Sequence, residues 1–210
     1  VNGRLSKKTL EARKLIKEIY KLILPKINLI MCKSELEKEN FINLGGSNLN
    51  IEVTGNIKFS QYNSVVSKEN IINKKYVLAI STQPDEERQI IAEWLKAHEK
   101  KVLLVVAPRH PERLGDILSD LPLDRIEIAI RSKNERIRSS TQIYIADTIG
   151  EIDILIEHSE FVFVGGSLVD HGGHNFLEAA AYGKSIIVGP YMNNFRAETE
   201  EFCKKKAMLM

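Results

Sequence analysis

The chain has 210 residues, of which 43% are hydrophobic and 28% charged, and its net charge is +2. This balance excludes a disordered chain, a collagen-like repeat and a disulfide-built miniprotein, and so small a charge does not by itself indicate a nucleic-acid partner. Cys32 and Cys203 lie far apart and suggest neither a zinc site nor a redox motif. No apolar run approaches the roughly 20 residues of a membrane span.

The first sixty residues are mildly basic and contain helical and strand patterns. Apolar residues recur at helical spacing between Lys8 and Leu24, and Pro25 ends that pattern. Ser34 followed by Glu37 has the form of a capping box that opens a second helix. The predicted elements are a helix over 8–24, a strand over 27–32, a helix from Ser34 to Gly45-Gly46 and a strand over 51–54. The polar stretch 60–75 predicts a linker and a domain boundary.

From residue 76 onward, strand and helix patterns alternate. The run over 102–106 is continuously apolar, which is typical of a strand buried on both faces of a parallel sheet. The pattern predicts a doubly wound α/β domain, and such domains bind ligands at the carboxyl ends of their strands. Predicted strands cover 76–81, 102–107, 126–130, 142–146, 161–164 and 185–188; predicted helices cover 86–98, 111–118, 151–157 and 175–182.

Two short segments that follow predicted strands are candidates for ligand contact. Arg109, next to Pro108, can offer a fixed fork of donors to a phosphate, or it can pair with a surface carboxylate. In the segment 147–151, Thr148 and Glu151 have the spacing of a capping box, which would leave the amides of Ile149 and Gly150 to face a ligand. For this second segment alone, a capping box without a ligand is the better interpretation.

The glycine-rich segment 165–178 is the most informative candidate. Its four glycines would let backbone amides converge on an anion, and the start of the next helix adds partial positive charge. Glu178 could hold ribose hydroxyls; alternatively, Asn175 and Glu178 only cap the helix. The segment lacks the Gly-Lys-Ser/Thr of a Walker loop. His171 and His174 have no companions that complete a ligand set, so we expect no metal.

Six short motifs carry a family resemblance. They are TGNIKF at 54–59, PRHPER at 108–113, DTIGE at 147–151, FVGGSLV at 163–169, HGGHN at 171–175, and GP at 189–190 with NFR at 194–196. In these motifs the chain closely resembles the 3-deoxy-D-manno-octulosonic acid (Kdo) transferases. It departs from the family pattern at Gln83, Ile149 and Phe176, where the family usually has His, Met and Pro.

The resemblance implies a GT-B glycosyltransferase, built from two Rossmann-like domains, that transfers Kdo from CMP-Kdo to a lipid A precursor in lipopolysaccharide synthesis. Residues 1–59 would be the tail of the acceptor domain, and 76–210 most of the donor domain. The general-base glutamate would lie in acceptor-domain sequence that this chain does not include, so we expect the isolated chain to be inactive. The implied CMP contacts are Pro108, Arg109, Ile149, Gly150, Glu151, Asn175, Phe176, Leu177 and Glu178.

The same resemblance implies inversion at the anomeric carbon without a metal or other cofactor. The implied partners are CMP-Kdo, the lipid A precursor and the anionic cytoplasmic face of the inner membrane, with no nucleic acid. Lys14, Lys17 and Lys21 could face that membrane, although a solvated helix flank is the simpler interpretation. Two alternatives stay open: another GT-B nucleotide-sugar enzyme, such as a UDP-sugar epimerase, or a nucleotide-binding chain without catalysis.

Overall fold

The computed structural model describes residues 2–55, 69–97 and 102–210. The chain forms two compact units, Val1–Ser64 and Val65–Met210. Residues 56–68, which include most of the predicted linker 60–75 and most of the motif at 54–59, lie outside the described residues.

The first unit is a small α/β unit whose two strands are parallel, with Ile30 paired to Ile51. Its core contains the buried side chains of Leu24, Ile30, Cys32, Phe41 and Leu44. The elements are α1 (Lys7–Leu10), α2 (Lys14–Ile23), a 3-10 turn (Leu24–Lys26), β1 (Ile30–Cys32), α3 (Glu35–Gly45) and β2 (Ile51–Val53).

The single helix predicted over 8–24 is wrong, because the structure has two helices there. Ser6 Oγ accepts a hydrogen bond from the Thr9 amide at 3.1 Å and starts a single-turn helix. Arg13 then has an extended backbone (ψ 151°), which separates α1 from α2. No residue of α2 is buried, and Leu15 and Leu22 are 75% and 72% exposed. Helical periodicity predicts α2 correctly but not the exposure of its apolar side.

The capping box predicted at the start of α3 is half formed. Ser34 Oγ accepts the Glu37 amide at 3.4 Å, as predicted. The Glu37 carboxylate, however, accepts the Leu5 amide at 3.2 Å and therefore ties the N-terminal segment to α3. The Glu37 side chain thus bonds a backbone donor that is distant in sequence instead of the Ser34 amide, which a full capping box would require.

The second unit is built on a seven-stranded sheet in which every pairing is parallel. This confirms the predicted α/β class and the buried character of the central strands: all six residues of the strand Leu103–Pro108 are buried. The strands are β3 (Tyr76–Thr82), β4 (Leu103–Pro108), β5 (Ile128–Ile130), β6 (Ile143–Ile145), β7 (Phe161–Val164), β8 (Ser185–Val188) and β9 (Met208–Leu209); the helices are α4 (Glu86–Ala97), α5 (Leu114–Ser119), α6 (Ile152–His158), α7 (Leu177–Ala181) and α8 (Arg196–Lys204).

The strand order β5-β6-β4-β3-β7-β8-β9 places a topological switch point between β3 and β7. The chain grows outward from β3 through β4 on one side and returns to β7 on the other side. Ligands of doubly wound sheets bind outside the carboxyl ends of strands at such a point. We call the carboxyl ends of β3, β4 and β7, with the loops that follow them, the switch edge.

Candidate nucleotide site

The loops of the switch edge are bonded directly to one another. The Arg109 amide after β4 donates to the Thr82 carbonyl at the end of β3, at 3.0 Å. The Gln83 side chain after β3 contacts His174 Nε2 in the loop after β7, at 2.8 Å. The structure therefore brings the loop at 109 and the glycine-rich loop together around the end of β3.

Gly165 is required where the β7 loop crosses the end of β3. A Cβ at this position would lie 2.5 Å from the Ser81 carbonyl oxygen and 2.6 Å from the Thr82 Cα, which are both backbone atoms. Ser81 itself has a positive φ of 53°, where the register between β3 and β4 shifts. Gly165 is thus needed so that the loop after β7 can pass close to the backbone at the end of β3, and not for contact with a ligand.

Three amides of the glycine-rich loop converge on an anion, as predicted, but this anion is a side chain of the protein and not a ligand. The amides of Gly166, Ser167 and Leu168 donate to the carboxylate of Glu86, at 2.6–2.9 Å. Glu86 lies at the start of α4 and is fully buried. These three amides are therefore satisfied by the protein's own carboxylate, and no sequence pattern indicates that Glu86 lies next to them.

Arg109 lies at the switch edge with its side chain exposed, directly after the buried Pro108. Burial lowers the pKa of His174 from its ordinary value, and the nearby Arg109 charge lowers it further. Within the described ranges, no ion pair engages the Arg109 guanidinium, whereas its neighbour His110 contacts Glu112 at 3.3 Å. Arg109 is thus an exposed cation at the switch edge, and a guanidinium is well suited to bind a phosphate.

The capping box predicted at Thr148 and Glu151 is wrong. The α6 helix begins at Ile152, and neither residue caps it through its side chain. Glu151 instead forms a two-pronged ion pair with Arg131 (2.9 and 2.6 Å) and accepts the Thr148 hydroxyl. The Arg131 guanidinium holds the pKa of Glu151 below its usual range. Ile149, in contrast, is 91% exposed, beside Gly150 with its φ of +89°.

The segment 175–178 divides into surface and core residues. Phe176 and Leu177 are buried, and Phe176 packs edge-on against Phe195 and Phe202. Asn175 Oδ1 accepts the Leu177 amide at 3.3 Å, and its Nδ2 donates to Glu178 at 3.1 Å. The predicted helix 175–182 thus begins two residues later and has five residues. Only the backbone of Phe176 and Leu177 is left to contact a ligand.

Three features of the candidate site are not predicted from the sequence: Glu86, the Gln83–His174 contact, and Arg131. Three of the four backbone partners of Glu86 lie 80 or more positions away, and Asp85-Glu86-Glu87 has the form of an ordinary acidic first helical turn. Arg131 directly follows β5, so its position after a strand is a signal that could identify it. Gln83 stands out in the sequence only as a departure from the family pattern.

The described part of the chain offers neither a metal cluster nor a membrane-spanning helix. Residues 2–55, 69–97 and 102–210 contain no group of three or more His, Cys, Asp or Glu side chains placed to hold a metal ion. In the same ranges, none of the helices has the length and hydropathy needed to cross a bilayer.

Comparison with known proteins gives matches along the whole chain. A family model described as 3-Deoxy-D-manno-octulosonic-acid transferase (kdotransferase) matches residues 1–61. A 3-deoxy-D-manno-octulosonic acid transferase of Rickettsia bellii is 34% identical over 92% of this chain and 48% of its own length. A bifunctional glycosyltransferase/methyltransferase of Fusobacterium nucleatum is 33% identical over 98% of this chain and 34% of its own length. The chain thus spans half or less of these curated relatives.

The parallel sheet and its topological switch point give the second unit a Rossmann-like fold. A crystal structure of the C-terminal CMP-Kdo binding domain of WaaA from Acinetobacter baumannii matches 65% of this chain and 72% of that chain, with 35% identity and a TM-score of 0.59. The chain belongs to the Kdo transferase family. This membership agrees with the GT-B class expected from the motifs.

Proposed function

We propose that the second unit binds CMP-Kdo, as the donor-side part of a glycosyltransferase that transfers Kdo to a lipid A precursor in lipopolysaccharide synthesis. The observation that carries this proposal is the switch edge, where Arg109 and the His174–Glu178 segment meet at the end of β3. The similarity to a CMP-Kdo binding domain supports the choice of nucleotide. The assignments of individual contact residues are part of the proposal.

Each site residue takes a role that its surroundings allow. The Arg109 guanidinium binds the CMP phosphate, and Pro108 fixes the turn that presents it. Glu178, oriented by the Asn175 side chain, accepts ribose hydroxyls, while the Phe176 and Leu177 backbone lines the pocket. The exposed Ile149 and the adjacent Gly150 contact the base, and Arg131 orients Glu151 beside them.

The proposed reaction is inverting and requires neither a metal nor another cofactor. A carboxylate of the acceptor side removes the proton from the lipid A precursor hydroxyl, and that oxygen attacks the anomeric carbon of Kdo. The bond from this carbon to the CMP phosphate breaks, and the phosphate keeps the electron pair. Arg109 stabilises the charge that develops on the leaving phosphate.

The membrane surface belongs to the same proposal. In α2 the exposed Leu15 and Leu22 accompany Lys14, Lys17 and Lys21, a combination that suits an anionic bilayer surface. Replacing the three lysines by Glu should abolish binding to anionic liposomes. Unchanged liposome binding would refute the membrane contact without affecting the nucleotide proposal.

Calorimetric titration with CMP and UDP tests the nucleotide proposal. We expect CMP to bind more tightly than UDP, and Glu178→Ala to weaken CMP binding. Glu201→Ala is the matched control, because Glu201 is an exposed carboxylate on α8 that pairs with Lys205. A preference for UDP would favour another nucleotide-sugar enzyme, such as an epimerase. CMP binding without Kdo transfer, in a protein that has the full length of the relatives, would favour a non-catalytic role.

A further inference from the structure

Glu86 is a buried carboxylate with an unusually complete set of backbone donors. Its Oε2 accepts the amides of Gln83 (2.8 Å) and Gly166 (2.6 Å), and its Oε1 accepts those of Ser167 (2.9 Å) and Leu168 (2.8 Å). A buried carboxylate is costly unless hydrogen bonds replace its water. These four bonds supply that replacement, and all four come from the loops after β3 and β7.

The carboxylate therefore joins the two loops that flank the switch point. Three consecutive loop amides form an anion-binding concavity, and Glu86 fills it from inside the protein. The donor phosphate is thus excluded from these three amides. Gly165 permits this arrangement, because a Cβ there would lie 2.8 Å from Glu86 Oε2.

A short chain of contacts leads from Glu86 to the nucleotide segment. Glu86 fixes the Gln83 amide, and the Gln83 side chain contacts His174 Nε2 at 2.8 Å. The glycine loop also closes on itself, since the His174 amide donates to the Gly165 carbonyl at 3.1 Å. His174 directly precedes Asn175, so both ends of the loop that presents the segment 175–178 are anchored through Glu86.

We propose that Glu86 is a positioning residue that holds the glycine-rich loop in the shape needed to bind the donor nucleotide. This inference rests on the proposed function of the switch edge. Glu86 acts through the loop and through His174 rather than by touching CMP. Its negative charge, and not only its volume, is the property that the loop requires.

Glu86→Gln tests the role of the charge at nearly constant volume. A carboxamide has one acceptor oxygen, so its NH2 group would face two of the four backbone donors and those two bonds would be lost. We expect about tenfold weaker CMP binding, from the loss of buried hydrogen bonds, together with faster hydrogen exchange at the amides of 166–168. Glu86→Asp keeps the charge and should give an intermediate affinity.

Glu87→Gln is the matched control. Glu87 is the neighbouring buried carboxylate, but it contacts Thr82 and Arg113 instead of the glycine loop. We expect this variant to leave exchange at 166–168 unchanged. A Glu86→Gln protein with wild-type exchange at 166–168, or with wild-type CMP affinity, would overturn the inference. If Glu86→Gln does not fold, a folded Glu86→Asp variant with affinity equal to wild type would also overturn it.

The exchange measurement separates this inference from the proposed function. It is made first without nucleotide, so it reports whether Glu86 holds the loop even if the wild-type chain fails to bind CMP. Failure of wild-type binding would refute the proposed function, and with it the positioning role in nucleotide binding. Wild-type CMP binding combined with unchanged loop exchange in Glu86→Gln would refute the inference alone.

Discussion

Gly165→Ala should destabilise the second unit, because the added methyl group has no space between two backbone segments. The new Cβ would lie 2.5 Å from the Ser81 carbonyl oxygen and 2.6 Å from the Thr82 Cα. Backbone atoms at the end of a buried central strand cannot move away as a flexible side chain can. The loop after β7 would have to shift outward instead.

The magnitude follows from overpacking. Forcing an extra methyl group into a tightly packed site lowers the free energy of unfolding by about 1–3 kcal/mol. Alanine in place of glycine also raises it by about 0.5–1 kcal/mol, because alanine restricts the conformations of the unfolded chain. We expect a net loss of about 1–2 kcal/mol. For a chain of this size, that corresponds to a fall in Tm of roughly 2–8 °C.

Thermal unfolding followed by circular dichroism measures this change, with Gly115→Ala as the control. Gly115 lies in α5, has no positive φ, and has open space where the methyl group would be added. Alanine there should leave Tm unchanged or raise it slightly, because it favours helix. If Gly165→Ala behaved like Gly115→Ala, the close approach of the two loops would be refuted.

Three further predictions concern single side chains. Arg113→Met should cost about 3 kcal/mol in urea unfolding, because it leaves the buried Glu87 carboxylate without its ion-pair partner; a loss below about 0.5 kcal/mol would contradict this. Phe176→Ala should cost about 3–5 kcal/mol, because the ring is fully buried against two other phenylalanines, and a wild-type Tm would show that the ring is not part of the core. The lowered pKa of His174 means that the unfolded chain binds a proton more readily than the folded chain does. Stability should therefore fall as pH drops below about 6.5, and His174→Gln should reduce the pH dependence of Tm in that range.

Strand identity in the second unit could be predicted because each central strand is continuously apolar. Phe161–Val164 and Ser185–Val188 match the predicted strands residue for residue. The α8 helix and β9 were not predicted, since the charged run after Phe195 has little apolar periodicity. The break before α2 depends on the backbone of Arg13, which no local residue preference signals.

In the candidate site, too, local patterns could be predicted from the sequence, whereas contacts between residues distant in sequence could not. A glycine-rich loop after a buried strand correctly suggested amides that gather around an anion, whereas its role in ligand binding stays a prediction. The identity of the anion could not be predicted, because Glu86 reaches these amides only after β3 and β7 have paired. In the same way, Thr148 and Glu151 have capping-box spacing, but Glu151 forms an ion pair with Arg131, which directly follows β5, instead of capping α6.

Hydrogen exchange with and without saturating CMP shows whether the loops at the carboxyl ends of the strands form one nucleotide site. If the loops of the switch edge and the loop after β6 form one nucleotide site, CMP should slow exchange at Arg109, at 149–151 and at 174–178. Exchange at 166–168 should change little, because Glu86 occupies the concavity that these amides form and so excludes CMP from it. Protection confined to 166–168, or no protection in any of the other three segments, would show that these loops do not form the nucleotide site.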